Sequence, residues 1–297
     1  MPATSAVLSY GPQDPFVVVV VVVVDVDDPR QDEILVRIEA SGVCHTDLIN
    51  RGAGDRDRPV LLGHEGAGVV EAVGAQIRSV RPGDRVVLSF RRCGTCANCR
   101  AGRPAYCRKA ARLNQFGARA DGTPRVTVDG VPVVDGFYRP VQPRRVCAGE
   151  RGQHGRGRPR NRPRDRGATG VRFPDRRGRS RLAGVLAALA ADVESVIVVE
   201  PSPVRRALAV GGAAVAVGLG TGVPQIDVRD LVMRGKSVHG CLEGDSIPAT
   251  FIPHLLGLYA RGRFPIDRLV TAFPHPEVTT ALDRQHAGDV VKPVLTW

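Results

Sequence analysis

Four of the seven cysteines in this chain fall inside fifteen residues, at 93, 96, 99 and 107, in the run CGTCANCRAGRPAYC. Two residues between successive thiols let neighbouring side chains turn toward one ion, and glycines at 94 and 102 permit the tight turns this needs. Four thiolates around one ion describe a closed tetrahedral zinc site held by Cys93, Cys96, Cys99 and Cys107. An iron–sulfur cluster is the chemical alternative and four unbridged thiols the plain one. The seven-residue gap before the last cysteine, with no Cys-Pro step after it, favours zinc. The full set, at 44, 93, 96, 99, 107, 147 and 241, is odd in number and clustered, which points to metal binding in a reducing compartment rather than to disulfides.

With 297 residues and 43% hydrophobic content, the chain is long enough for two domains with cores of their own. Residues 1–138 carry short β-rich runs at 34–38, 68–73, 86–90, 125–128 and 131–134, punctuated by glycine and proline. That pattern predicts a compact, mostly-β domain, with polar loops at 42–47 and 63–66. The run 16–24, with eight valines in nine residues, is about half the length needed to span a bilayer, and its β-branching favours a strand. The first fifteen residues lack a basic start, an apolar core and a small-residue cleavage site, so a cytoplasmic protein without a membrane segment is expected.

Residues 139–181 read differently. They hold fifteen arginines against three acids, which accounts for the whole formal net charge of +12. Such an Arg-, Gly- and Pro-rich stretch cannot bury enough apolar surface to offset the entropy of ordering it, so disorder is expected there. The charge would attract phosphate nonspecifically, but no aromatics are interleaved with it, and no specific nucleic-acid partner is expected.

From 182 the pattern returns to helix and strand alternation of the doubly wound kind: a stripe of Leu182, Val185, Leu186 and Leu189, a strand at 195–199, a helix from 203 and a strand at 213–217. A parallel unit takes about 30 residues, so 182–264 has room for at most about four or five strands. A helix over 246–262, with Phe251, Leu255, Leu256 and Leu258 on its apolar side, and short units near 269–270 and 291–295 complete the chain.

Three runs now combine: GVCHTD at 42–47, GHEGAGVVEAVG at 63–74 and the cysteine lobe. Together they resemble the zinc-dependent medium-chain alcohol dehydrogenases. LSFRRCGTCANCRAGRPAYC and the later VHGCLEGDSIPATFIPHLL are most similar to the aryl- and benzyl-alcohol dehydrogenases among them. The resemblance covers 1–138 and 182–297. It implies a two-domain β plus α/β fold: a GroES-like β-barrel catalytic domain at 1–138, to which 265–297 returns, and an incomplete Rossmann-type parallel-sheet domain at 182–264.

The same resemblance assigns Cys44 and His64 to a catalytic zinc, with Glu65 behind it, Asp47 orienting its ligands, Thr46 passing a proton and His45 near the cofactor pyrophosphate. In such enzymes the metal lowers the pKa of an alcohol and hydride passes to NAD, here from a primary, aromatic alcohol to give its aldehyde. Ile49 stands where liver-type enzymes have a relay histidine. Glu200, at the end of the strand 195–199, is an acid suited to ribose hydroxyls and thus to NAD rather than NADP. Gly218, Gly220 and Gly222 fit a pyrophosphate fingerprint poorly, because no clear helix follows; the run resembles the family's loop near the nicotinamide, which assigns Gly218 and Gly220 to the cofactor. Family members assemble as dimers or tetramers through this sheet.

One family ligand, a third cysteine for the catalytic zinc, is expected at 168–175, where the chain has none. ATGVRFPDR can be encoded as GCC ACT GGG GTG CGG TTT CCA GAC CGG, which read one base later gives PLGCGFQT, the family's zinc-cysteine motif. RPVQP at 139–143 likewise yields GQSS. The reading is a frame change over 139–181, restored near 182, with a further loss between Val210 and Gly211 and no GxGxxG ahead of the helix at 182. The alternative to an active dehydrogenase is therefore an inactive zinc-binding scaffold or a truncated product.

Overall fold

The computed structural model describes residues 3–11, 20–55, 57–114, 119, 121–134, 147–148, 171–172, 210–216 and 226–297. The chain divides into two units, Met1–Gly149 with Ile247–His254 and Asp267–Trp297, and Glu150–Ser246 with Leu255–Ile266.

The first unit carries two sheets. In one, β1 (Ala3–Ser9) lies between β4 (Val60–Leu61) and β2 (Val20–Val26), and β7 (Val126–Val128) and β8 (Val131–Pro132) follow beyond β2. The other has the order β13 (Val270–Pro274), β14 (Lys292–Thr296), β3 (Ile34–Gly42), β5 (Glu65–Val73), β6 (Arg85–Val87) and β9 (Cys147–Ala148). The valine-rich run thus ends in a strand, paired antiparallel with both β1 and β7.

Alternation on β3 explains how the sheets meet, since successive side chains of a strand point to opposite faces. Ile34 and Val36 join Val70, Ile77, Val80, Val86 and Leu88 in one buried cluster, while Leu35 packs against a second cluster built on Ala6, Leu8, Val26, Leu61, Val126 and Val133. Among the described residues this β domain consists of two sheets that share cores and no common ladder, without a closed barrel. Two register shifts bend the β3–β5 pair, and Gly68 lies so close that a Cβ there would meet the Arg37 carbonyl at 2.0 Å.

The C-terminal strand β14 pairs antiparallel with β3 through Val294↔Gly42, Leu295↔Ser41 and Thr296↔Ala40. A third cluster seals this junction with Val7, Val43, Phe273, Val278, Ala281, Leu282, Val290 and Leu295. An ion cluster closes the opposite end of β3: the Arg119 guanidinium donates to both oxygens of Glu33, to Asp27 and to the Pro124 carbonyl, with Arg125 beside it.

In the second unit, β10 (Val171–Arg172), β11 (Ala213–Ala216) and β12 (Ser237–Gly240) form a parallel sheet in that order, consistent with the α/β class. A short helix, Val228–Met233, lies between β11 and β12 in the chain, capped by the Asp227 carboxylate accepting from the Asp230 N–H. The helix expected over 246–262 runs from Pro248 to Ala260. Residues 182–209, which hold the expected elements and Glu200, and the glycines at 218, 220 and 222 lie outside the described residues. Among the described residues no helix is long and apolar enough to cross a membrane.

Candidate metal centres

The cysteine lobe is a series of tight turns. Gly94 and Gly102 adopt φ of 74° and 75°, a region that disfavours side chains, and so reverse the chain on either side of the short helix Ala97–Arg100. A 3-10 turn over Pro104–Tyr106 then brings Cys107 back beneath Cys93, whose N–H points at the Cys107 sulfur at 3.3 Å. All four sulfurs lie within 4.8 Å of one another, with Cys99 and Cys107 buried.

Cys93 and Cys99 are 4.0 Å apart at sulfur, close to the ~3.8 Å edge of a tetrahedron with zinc–sulfur bonds of about 2.3 Å. The lobe also stabilises thiolates unequally. Hydrogen bonds from Thr95 and the Cys96 N–H bring Cys93 down to about 5, and N–H groups including that of Arg108 lower Cys96. Burial, with Cys96 beside it, pushes Cys99 up to about 12. A divalent ion that accepts four thiolates resolves this conflict, so the donor set fits a closed zinc site.

The second cluster forms where the loop after β3 meets the loop before β5. Cys44 caps the helix His45–Asn50: its sulfur accepts from the Thr46 N–H at 3.3 Å, and its own N–H donates to the Asp47 carboxylate at 2.9 Å. This cap fixes Asp47 where it also accepts from the Gly63 N–H at 3.0 Å and holds His64 Nδ1 at 2.8 Å. The other ring nitrogen, Nε2, therefore faces the Cys44 sulfur at 3.1 Å. A shared zinc would sit between groups about 3.6 Å apart, so small side-chain adjustments accommodate one.

Burial opposes charge at both partners, but their mutual hydrogen bond wins: Asp47 is held below the ordinary carboxylate range, and His64 is raised to about 10 by Asp47 and Cys44. Glu65 Oε1 stands 3.9 Å from His64 Nε2, while its other oxygen contacts Lys292 Nζ at 2.5 Å. Thr46 and the backbone of His45 form the first turn of the capped helix. Cys44, Asp47, His64 and Glu65 thus stand together, and Glu200, Gly218 and Gly220 fall on residues not described. Val171 and Arg172, across which the shifted-frame cysteine codon would straddle, form β10. Lys292 went unremarked in the sequence; its only signal there is a lone cation opening an apolar strand, KPVLT.

The fold and the two sulfur-bearing clusters define a two-domain β plus α/β protein with two groups of side chains able to hold a metal ion. Residues 30–134 match the alcohol dehydrogenase GroES-like domain. Geraniol dehydrogenase from Castellaniella defragrans is 32% identical, over 91% of this chain and 92% of its own length. S-(hydroxymethyl)glutathione dehydrogenase from Haemophilus influenzae is 40% identical over 131 residues, 43% of this chain and 34% of that protein. Among solved structures, an alcohol dehydrogenase zinc-binding domain protein from Burkholderia ambifaria superposes with a TM-score of 0.81 at 28% identity, covering 99% of both chains. Benzyl alcohol dehydrogenase from Acinetobacter calcoaceticus shares the fold, with a TM-score of 0.75 at 23% identity over 100% of this chain and 99% of that one. The chain belongs to the zinc-dependent medium-chain alcohol dehydrogenase family, whose cofactors are zinc and NAD(H).

Proposed function

We propose that this chain is built to oxidise a primary, aromatic alcohol to its aldehyde with NAD, at a zinc ion held by Cys44 and His64. The observation that carries this reading is the convergence of the Cys44 sulfur, the His64 ring and the Asp47 carboxylate within 4.8 Å, in a chain 32% identical to a geraniol dehydrogenase. Cys44 and His64 would hold the zinc, which would supply Lewis acidity to an alcohol oxygen, with NAD as the hydride acceptor.

The chain's own residues prepare that step. Asp47, accepting from Nδ1, selects the tautomer whose Nε2 lone pair faces the metal position, and holds the ring in place. Thr46 would take the proton leaving the alcohol, His45 would lie near the pyrophosphate, and Glu65 would stand behind the metal position. Cys93, Cys96, Cys99 and Cys107 hold the structural zinc. Glu200, Gly218 and Gly220 serve the dinucleotide, the acid selecting NAD. Residues 1–138 and 265–297 make up the catalytic domain, 182–264 the truncated nucleotide-binding domain, and 139–181 an aberrant segment whose residues are altered by the frame change. The aromatic preference rests on the segments around the cysteine lobe and at 238–256, and the cytoplasmic setting on thiols kept unbridged. Assembly of copies would use the nucleotide-binding sheet.

A second reading, a zinc-bearing scaffold without turnover, is favoured by two observations. No cysteine occurs at 168–175, and the match to geraniol dehydrogenase runs over 349 positions, so at least 52 of them face gaps in a chain of 297 residues. Metal analysis of the purified chain with an NAD titration separates the readings. About two zinc ions per chain, NAD binding and benzyl alcohol-dependent NADH absorbance support the dehydrogenase. One zinc ion and neither of the other signals supports the scaffold.

A further inference from the structure

Residues 85–120 include no aspartate or glutamate and nine cations, seven of them between 91 and 112, in and beside the cysteine lobe. The two outermost find acids elsewhere: Arg85 pairs with Glu39 and Arg119 with Glu33. Inside the lobe, Arg100, Arg103, Arg108 and Lys109 are exposed, and among the described residues none of them forms an ion pair. Arg100 donates to the Thr95 carbonyl at 2.7 Å, and the Arg103 guanidinium lies over the Tyr106 ring, 4.7 Å from its centroid. The turns that gather the four sulfurs within 4.8 Å of one another set these cations on one short, cross-braced stretch.

Zinc does not account for the excess of charge. Four thiolates around a divalent ion leave about two negative charges, against the seven cations of 91–112. Unpaired cations on one small surface repel one another and attract polyanions, over about 8–10 Å at physiological salt. Guanidinium groups bind phosphate oxygens two at a time, and three of the four exposed cations are arginines. An exposed guanidinium held on an aromatic ring also presents a plane on which an unpaired base can stack. An acidic protein segment would use the charge alone, so the Arg103–Tyr106 pair favours a single-stranded nucleic acid.

We propose that the cysteine lobe binds single-stranded nucleic acid without sequence preference, through Arg100, Arg103, Arg108 and Lys109. Lysine labelling isolates this surface from the rest of the chain. The protein has three lysines: Lys236 pairs with Asp230 and Lys292 with Glu65, which leaves Lys109, and the arginine-rich stretch 139–181 has none.

The test uses the zinc-loaded full chain at about 50 mM salt and an oligo(dT) of about twelve nucleotides. The oligonucleotide should slow acetylation of Lys109 at least about threefold, read by mass spectrometry, and leave Lys236 unchanged. In Arg103→Gln/Arg108→Gln protein, which keeps Lys109, the protection should fall below about 1.5-fold. A salt series with labelled oligonucleotide gives the second readout. Replacing Arg103, Arg108 and Lys109 together with glutamine should lower the slope of log K against log salt by about two, at ~0.7 per contact, with zinc content unchanged. Equal Lys109 reactivity with and without the oligonucleotide overturns the proposal, and so does protection that survives Arg103→Gln/Arg108→Gln, which would come from strands held at 139–181. Loss of zinc from the triple variant shows that the cations serve the metal and overturns it as well. Protection as strong with polyglutamate of matched charge, or with phosphatidylserine vesicles, assigns the surface to an acidic protein or a membrane and overturns the nucleic-acid reading.

Discussion

Replacing Arg119 with methionine tests whether the ion cluster at the start of β3 holds the first unit together. Glu33 and Arg119 are 3% and 5% exposed at their side chains, and the guanidinium donates from Nε at 3.0 Å and Nη2 at 3.0 Å to the two carboxylate oxygens. Removing one partner of a buried pair typically costs about 3–5 kcal/mol, because the remaining charge loses compensation. Glu33 would keep Arg125 at 3.4 Å and the Arg30 N–H at 3.1 Å, so the lower end, about 3 kcal/mol, is expected. Asp27, 40% exposed, adds little when its contact is lost. For a unit of this size that corresponds to a fall in melting temperature of roughly 6–12 °C. The single tryptophan, Trp297, lies in the same unit, stacked on His275 at 5.0 Å, so its fluorescence reports unfolding in urea at fixed zinc. The effect also has a pH signature. Burial raises the Glu33 pKa, but the hydrogen bond and charge of Arg119 outweigh it and hold the group below its ordinary 4.5. Its contribution is therefore fully present above that value and disappears as pH falls through the lower folded value, so the cost of Arg119→Met should shrink in acid. A cost under about 1 kcal/mol at pH 7 would refute the reasoning, since that is the range of a solvated pair.

Cys99→Ser should remove one zinc ion per chain in a chelator-dye assay and expose the 93–107 lobe to protease, leaving any metal at Cys44 and His64 in place. In metal-free protein, His64 is raised to about 10, so the Asp47–His64 pair stabilises the fold fully below the ordinary value of 6.5, and that contribution is lost as pH rises through about 10. Thermal melts between pH 6 and 11 should show the loss, and Asp47→Asn should remove it; identical pH profiles for the two proteins would defeat the assignment. Sequencing the gene across codons 168–176 tests the frame change: codons that cannot yield PLGCGFQT one base later exclude it.

What the sequence could convey divides by the distance over which each interaction acts. The cysteine lobe was legible because its ligands are separated by two, two and seven residues, and the chain between them has little freedom except the turns at Gly94 and Gly102. The β-rich runs were legible from their composition and the glycine and proline between them, and the helix of Pro248–Ala260 from its apolar residues, although its ends shifted by two residues and, of the expected apolar side, Leu258 is buried while Phe251 and Leu256 are exposed. Nothing local says that His64 Nε2 lies 3.1 Å from the Cys44 sulfur across twenty residues; only likeness to a family placed them together before the fold was known. The same limit hid Lys292, which reaches Val43 across 249 positions of sequence, and Arg119, which reaches Glu33 across 86. Both are cations whose partners are set by strand pairing and by the return of the C-terminal strand to β3. A charge in a sequence reads as a solvated surface group until topology supplies its counter-ion. Gly42, whose missing side chain makes room for the Glu65–Lys292 pair, is likewise legible only in three dimensions.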